Sequence, residues 1–538
     1  MNQMTPPPKI EIIPSSAPFS EAQRSWLNGF FAGLLTDGPT PLSAEQGGAM
    51  MPGVGDGDGD GDDGEAPWHD QTMPIADRMK LAEGRPLRRK MMAAMAQQDC
   101  GQCGYNCNDY SDAIAGKTEA RLNLCVPGGK ETARMLKSLY EELDKAPASP
   151  STAADAAPAV AAPAVVAELG RSRDNPAPAK FLGRQLLNKG KSEKETWHID
   201  FDLSGCGLDY VVGDSFGIFA RNDLGNVDQI IALLGASHTT QVRGKTLREV
   251  LLDDVSLAPA PDSLFELISY LTGGAQREKA RALAQGEDPD GDAATLDVMA
   301  VLQKFPNVRP HPEAFIEALE ALQPRLYSIS SSHNATPGKL SLTVDCVRYV
   351  INKRKRLGLA STFLAERIQP GDEVKVYVQK AHGFALPEDP KIPIIMIGPG
   401  TGIAPFRAFL HDRRATGAPG KNWLFFGHQR SDCDFFYQDE LNAMKTSGLL
   451  TRMSLAWSRD GDKKFYVQDR MREVGREVWT WLAEGANVYT CGDAKRMAKD
   501  VERALVDIVA QFGARSTDEA VLFIAELKKK GRFQQDVY

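Results

Sequence analysis

Apolar positions change their spacing several times along the chain. Between residues 19 and 35 they fall at Trp26, Leu27, Phe30, Phe31, Leu34 and Leu35, a broad helical stripe opened by a Ser20-x-x-Gln23 capping box. Glycine and aspartate alternate over 53–65, a stretch with nothing apolar to bury, so it reads as a solvated tether that leaves the first helix without a covering partner. A Cys-bearing unit is expected over 77–145 and an extended Ala/Pro-rich linker over 146–178. From Ala179 alternating strands at 195–203 and 216–220 lead into helical periodicity from about 226 to 320, and strands return at 325–331 and 340–350. This predicts an antiparallel β-barrel, 179–390, with a helical insertion over about 221–322. After Lys391 the apolar runs 392–397, 423–426, 451–456 and 487–491 are each followed by a turn and a helical stretch, the pattern of a doubly wound α/β domain over 391–538. The terminal Asp536, Val537 and Tyr538 read by default as a frayed tail.

Composition narrows the function classes. The 538 residues suffice for three or four domains, and 42% apolar with 25% charged residues is a globular profile. A formal charge of −8 argues against nucleic acid as the main partner. No apolar stretch reaches the roughly 18 residues that cross a bilayer, and the start lacks a basic region followed by an apolar one, so a cytoplasmic protein with no membrane partner is expected. Asp56, Asp58 and Asp60 imitate the start of an EF-hand loop, but Pro67 stands where the bidentate glutamate should be.

Four of the eight cysteines lie between 100 and 125, a metal-site pattern in a reducing compartment. Cys100, Cys103 and Cys107 share one tight glycine-bearing loop, and Cys125 follows in a distant turn, Leu124-Cys125-Val126-Pro127-Gly128-Gly129. Three thiolates from a wrapping loop and a fourth from elsewhere suit a cubane iron-sulfur cluster. A structural four-cysteine zinc site is the competing reading, although it usually shows two separated Cys-x2-Cys pairs.

The second half carries dinucleotide chemistry. Arg325, Leu326, Tyr327 and Ser328 set a guanidinium for a pyrophosphate, an aromatic ring for a flavin and a hydroxyl near its N5 on one strand. Gly358, Leu359, Ala360 and Ser361 place small residues at a helix start, where free amides bind phosphate. Gly398-Pro399-Gly400-Thr401-Gly402 follows an all-apolar strand and opens a helix, as a pyrophosphate-binding loop does. Ser458 and Arg459, then Lys464, Phe465, Tyr466, Val467 and Gln468, gather the cations and hydrogen-bonding groups that a ribose 2′-phosphate needs, which favours NADPH over NADH. Cys491 ends the next apolar strand, at the sheet edge where ligands bind.

Together these motifs resemble ferredoxin-NADP reductase folds, and more closely the flavoprotein alpha subunits of NADPH-dependent assimilatory sulfite reductases, in family order from Gly213-Asp214 to Tyr538. The cysteine loop is similar to the small four-iron, four-sulfur domain of Rnf-type electron-transport B subunits. There four residues usually lie between the second and third cysteines, and here three intervene, a departure that bears on Cys107. The resemblance implies that Arg325 to Ser328, the backbone around Thr343, Val344 and Asp345, Tyr349, and Gly358 to Ser361 hold FAD. It implies that Ser458, Arg459, Lys464 to Gln468 and Asp500 hold NADPH, that Tyr538 covers the flavin, and that Ser328, Cys491 and Tyr538 serve catalysis. The family's FMN-binding flavodoxin domain has no room between Gly129 and Ala179, so no FMN is expected. A 4Fe-4S cluster on Cys100, Cys103, Cys107 and Cys125 would take its place and pass electrons to a separate sirohaem sulfite reductase subunit, docked by helix 19–35 in a hetero-oligomer. Delivery to a ferredoxin or cytochrome, or a zinc-stabilised docking module without redox function, are the rival expectations.

Overall fold

The computed structural model describes residues 66–71, 73–98, 103, 105–145, 168–381 and 383–538. The expected helix at 19–35, the aspartate run at 56–60 and Cys100 lie outside the described residues.

The first unit is helical: α1 (Ile75–Leu81), α2 (Leu87–Ala94), α3 (Cys107–Ala115) and α4 (Gly129–Lys145). Pro74 and Pro86 stand in extended conformation just before α1 and α2, positions where the missing amide costs nothing. Asn106 caps α3 by accepting the Asp109 amide at 2.7 Å. Met91, Met92, Tyr110, Ile114 and Leu136 meet in the core. The expected start at 77 is too late. Trp68 is fully buried against Ala82 and Ala93, with the guanidinium groups of Arg85 and Arg89 5.9 and 5.3 Å from its ring.

The second unit is the barrel. Its strands are β1 (Ala177–Leu186), β2 (Thr196–Asp202), β3 (Ser215–Ile218), β6 (Arg325–Ser328), β7 (Lys339–Asp345) and β10 (Glu373–Gln379), in the order β6-β3-β10-β1-β2-β7, every pairing antiparallel. The Ile329–Leu342 bridge and the Ser330 amide bonded to the Ser341 carbonyl at 2.8 Å join the two edges and close the barrel. β1 begins two residues before the expected boundary at Ala179, and residues just ahead of it already belong to the barrel, since the Val378 amide bonds the Gly170 carbonyl at 2.9 Å. Between β3 and β6 the insertion folds as α5 (Leu224–Leu234), a small hairpin of β4 (Gln241–Val242) and β5 (Lys245–Thr246), α6 (Leu247–Asp253), α7 (Asp262–Leu271), α8 (Gly274–Ala284), α9 (Val298–Lys304) and α10 (Pro312–Glu317), around its own apolar core. The β8 (Arg348–Ile351) and β9 (Arg354–Leu357) hairpin and the short α11 (Leu359–Thr362) complete the unit. It meets the first unit through Arg134 on α4, which donates to Asp262 on α7 with both arms, at 2.8 and 2.9 Å.

The third unit is a parallel sheet in the order β13-β12-β11-β14-β15, built from β11 (Ile394–Ile397), β12 (Asn422–His428), β13 (Arg452–Trp457), β14 (Asn487–Gly492) and β15 (Phe533–Val537). Helices α12 (Ile403–Ala415), α13 (Gln438–Thr446), α14 (Val467–Glu473), α15 (Gly475–Ala483), α16 (Met497–Phe512) and α17 (Thr517–Lys529) cover it. The order reverses between β11 and β14, which puts the crevice for a ligand there. The terminal residues are not a frayed tail: β15 adds an edge strand, with Cys491 paired to Asp536.

Because Trp68 anchors the cysteine unit from outside its expected boundary, Trp68→Ala should destabilise that unit by about 3–5 kcal/mol. Calorimetry should show one early transition lost or shifted down, with the reductase transitions unmoved.

Candidate functional site

Four local arrangements carry chemistry. The first lies where β6 leaves the barrel. Arg325 is largely enclosed, burial lowers its pKa, and its Nη1 has no hydrogen-bond partner among the described atoms. An orphaned guanidinium is costly unless an anion completes it. It opens onto a cleft that Tyr349, Gly358 and Leu359 also line. At Gly358 a Cβ would stand 2.5 Å from Ser361 Oγ and 2.8 Å from Val347 Cβ, so only glycine brings this backbone so close. Ala360 and Ser361 are buried beneath the turn, with Ser361 Oγ accepting the Val347 amide at 3.1 Å. A pyrophosphate-bearing flavin fits this donor set. Leu326 and Tyr327 pair with Gly217 and Phe216 across β3. Thr343 bonds the Tyr437 hydroxyl at 2.7 Å, Asp345 accepts from Lys194 at 3.1 Å, and the Val344 side chain points into the barrel core, so only its backbone is available to a ligand. The basic run Arg354, Lys355 and Arg356 on β9 also lines the cleft, a set the sequence reading passed over although its charge density was visible.

The second arrangement joins the barrel to the sheet. Ser328 Oγ donates to Asp536 Oδ2 at 2.5 Å, and the Cys491 thiol lies 3.7 Å from the same oxygen. Burial raises the Asp536 pKa, opposed by the hydrogen bonds from Ser328 and Cys491, and burial next to Asp536 pushes the Cys491 thiol well up. The thiol is thereby kept neutral as a donor rather than a nucleophile. Tyr538 donates its amide to the Gly492 carbonyl at 3.0 Å and shares a 2.7 Å hydrogen bond between its hydroxyl and Thr401 Oγ1. Ser328, Cys491 and Tyr538 thus gather around Asp536, which the sequence reading did not single out.

The third is the cleft at the sheet's switch point, about 500 Å³. The loop Gly398–Gly402 must run tight: a Cβ on Gly402 would stand 2.1 Å from the Cys491 carbonyl oxygen, and Gly400 has φ +59°. Gly400, Ser458 and Asp500 line the cleft, as do Phe465 to Gln468. Arg459 and Lys464 do not. Arg459 pairs instead with Glu193 of the β1–β2 loop, and its amide bonds the Gln429 carbonyl at 2.8 Å. The cations that do line the cleft are Lys194 and Arg496.

The fourth is in the helical unit. Cys103, Cys107 and Cys125 line one small cavity together with Tyr105, Tyr110 and Pro127. The Tyr110 hydroxyl pins the Cys125 turn, donating to the Arg121 carbonyl at 2.6 Å and accepting the Leu124 amide at 3.2 Å. Burial pushes the Cys103 thiol up to about 11 and raises Cys125, against hydrogen bonds from the Ala96 and Gly128 backbone to the Cys125 sulfur. Those amides are the contacts a sulfur-bound metal centre uses. Among the described residues no three His, Cys, Asp or Glu side chains are arranged to hold a metal ion.

Comparison with known proteins matches residues 170–363 to the FAD binding domain and residues 396–503 to the oxidoreductase NAD-binding domain. The chain is similar to the sulfite reductase [NADPH] flavoprotein alpha-component of Photorhabdus laumondii subsp. laumondii, 43% identical over 371 residues, and to that of Escherichia coli O9:H4, 42% identical over 377 residues. Each match takes in 68% of this chain and 61% of the relative, so the chain spans about three fifths of the length of these relatives. The chain is an oxidoreductase that joins an FAD-binding unit to a nicotinamide dinucleotide-binding unit. No helix among the described residues is long and apolar enough to cross a membrane.

Asp536, with its raised pKa, keeps a proton at a pH where an ordinary carboxyl has lost it. A step that needs this proton runs fast below the raised pKa and slows as pH climbs through it. Asp536→Asn should lose this limb of the pH profile and slow nicotinamide-driven flavin bleaching by about a hundredfold, with FAD retained. Stopped-flow absorbance across the pH range reads both effects.

Proposed function

We propose that this chain oxidises NADPH at the switch-point cleft, passes the electrons through FAD to a four-iron cluster on the helical unit, and serves a sirohaem sulfite reductase subunit. The observation that carries the reading is the Ser328–Asp536–Cys491 contact. It sets the end of the flavin strand β6 against the strand ends that border the dinucleotide cleft. When bound, FAD would accept a hydride and release single electrons, and the cluster would relay them. The residues supply the rest. Arg325 and the Gly358 turn would neutralise and seat the flavin pyrophosphate, with Tyr349 and Leu359 beside it. Gly400 and Ser458 would hold the nicotinamide dinucleotide, and Asp536 would keep a proton beside the reacting ring. Tyr538 spans from the Gly492 carbonyl to Thr401 and would have to swing aside before a nicotinamide could stack.

The names of the similar proteins support NADPH as donor and sulfite as final substrate. Three cysteines around one cavity, with backbone amides aimed at Cys125, support a cluster, with Cys100 as fourth ligand. The formal charge of −8 accords with a cytoplasmic place, and the apolar stripe that the sequence puts at 19–35 would dock a haem subunit.

Iron and acid-labile sulfide should be found in anaerobically purified protein, close to four of each per chain. Cys103→Ala should lose both while NADPH still bleaches the flavin and sulfite reduction by the reconstituted haem subunit stops. Zinc in place of iron, or full sulfite reduction by the cysteine variant, would falsify the relay.

Arg459 faces Glu193 rather than the cleft, so the 2′-phosphate must compete with a carboxylate for it. Arg459→Ala should weaken NADPH binding about ten- to a hundredfold and leave NADH little changed, whereas Glu193→Gln should tighten NADPH alone. Equilibrium titration with both dinucleotides decides this.

A further inference from the structure

One imidazole in the dinucleotide cleft has no part in the reading above. His428 ends β12 at the carboxyl edge of the sheet, its carbonyl accepting the Ser458 amide at 2.9 Å. Its side chain is only 10% exposed. One edge of the ring faces the glycine loop: a Cβ built on Gly400 would stand 3.6 Å from His428 Cδ2 and 3.9 Å from Nε2. On the other edge Nδ1 lies 3.2 Å from Asp434 Oδ2, close enough for an ion pair but bent out of hydrogen-bond alignment. Asp434 is 1% exposed and firmly held, accepting from Asn188 at 2.8 Å, Ser192 at 2.5 Å and the Arg430 amide at 3.1 Å. The Phe436 ring, 4.9 Å away between centroids, restricts rotation of the imidazole.

We propose that His428 is a proton-linked ligand for the phosphates of the dinucleotide, with Asp434 as the positioning residue that turns Nε2 toward the Gly400 loop. This rests on the reading of that cleft as the nicotinamide dinucleotide site. A buried carboxylate beside Nδ1 favours the tautomer with its proton there, which leaves Nε2 a bare acceptor. A bare acceptor repels a phosphate oxygen, and an imidazolium donates to it. The charged groups that face the ring are Asp434 from the loop after β12, Asp345 and Lys194 from the barrel, and Asp493, Arg496 and Asp500 across the cleft. In the free protein burial holds the imidazole below its usual pKa, with Asp434 and Asp345 working against that and Lys194 with it. A pyrophosphate adds negative charge on the open side and raises the pKa of the complex above that of the free protein. Binding therefore takes up a proton. The contribution is complete below the free-state pKa and is lost as pH rises through the pKa of the complex.

The test uses FAD-loaded full-length protein and NADP+ as the probe, with dissociation constants measured from about pH 5.5 to 8.5 for the wild type, His428→Gln and His428→Asn. The cofactor's own 2′-phosphate titrates in every sample and cancels in the ratio of variant to wild type. That ratio should be about tenfold or more near pH 6 and approach one near pH 8. Calorimetry in two buffers of different ionisation heat should show proton uptake by the wild type that both variants lack, and Asp434→Asn should move the wild-type transition to lower pH. Retained FAD reports that each variant is folded. A ratio independent of pH, or equal proton uptake in wild type and variants, overturns the role of His428 and leaves the cleft assignment standing. Failure of the wild type to bind NADP+ at any pH overturns both.

Discussion

The barrel and the sheet unit meet at one oxygen atom, beside a shared apolar cluster in which Val212 of the barrel packs with Met396 and Phe406 of the sheet unit. Asp536 Oδ2 lies 2.5 Å from a hydroxyl on barrel strand β6 and 3.7 Å from a thiol on sheet strand β14, so a hydrogen bond fixes the spacing of these strand ends between the two dinucleotide sites. Much else follows from holding that contact. β15 has to run parallel to β14 to bring Asp536 opposite Cys491. The glycine loop has to pass under Cys491 closely enough that even a methyl group on Gly402 would collide with its carbonyl. Arg407 on α12 reaches back to the Ser330 carbonyl at 2.7 Å, and Asn188 of the barrel binds Asp434 of the sheet unit, so the two units are pinned on either side of the contact.

The parts of this architecture that were legible are those whose chemistry is local. Strand β2 alternates because one of its faces is buried, and β11 and the 423–426 run of β12 are apolar throughout because both faces are covered. Glycine loops announce themselves because a Cβ is forbidden where the backbone must close on a strand end. The parts that were not legible depend on partners far away. Asp536 looked like tail because its role comes from Ser328, 208 residues earlier. Phe533–Val537 carries Gln534, Gln535 and Asp536 in its middle, and only the edge position of β15 lets a strand this polar form. The start of β1 was hidden by composition, since Ala177-Pro178-Ala179 continues the texture of the linker ahead of it. Arg459 stands beside Ser458 in sequence, yet its side chain leaves for Glu193, a partner that no local spacing reveals.

The cysteine unit shows the same division. The thiols were visible as a set, but what shapes their cavity was not: Tyr110 pinning the Cys125 turn, and Trp68 closing the unit from beyond its expected edge. Thr132 on α4 bonds the Ala94 carbonyl at 2.8 Å, and a Cβ on Gly128 would stand 2.2 Å from its hydroxyl, so the turn that carries Cys125 is packed against the end of α2. A cavity lined by thiols is therefore held from three directions by groups that are not thiols.

The contact between Arg134 and Asp262 has a further meaning, because both residues belong to one chain. An exposed ion pair of this kind contributes about 1 kcal/mol or less, too little to hold two separate proteins together. Covalent connection replaces that deficit with a local concentration that does not depend on how much protein is present. Dilution then leaves the encounter of the two units unchanged, while added electrolyte weakens it. The helical unit and the barrel would meet equally often in a sparse cell and a crowded one.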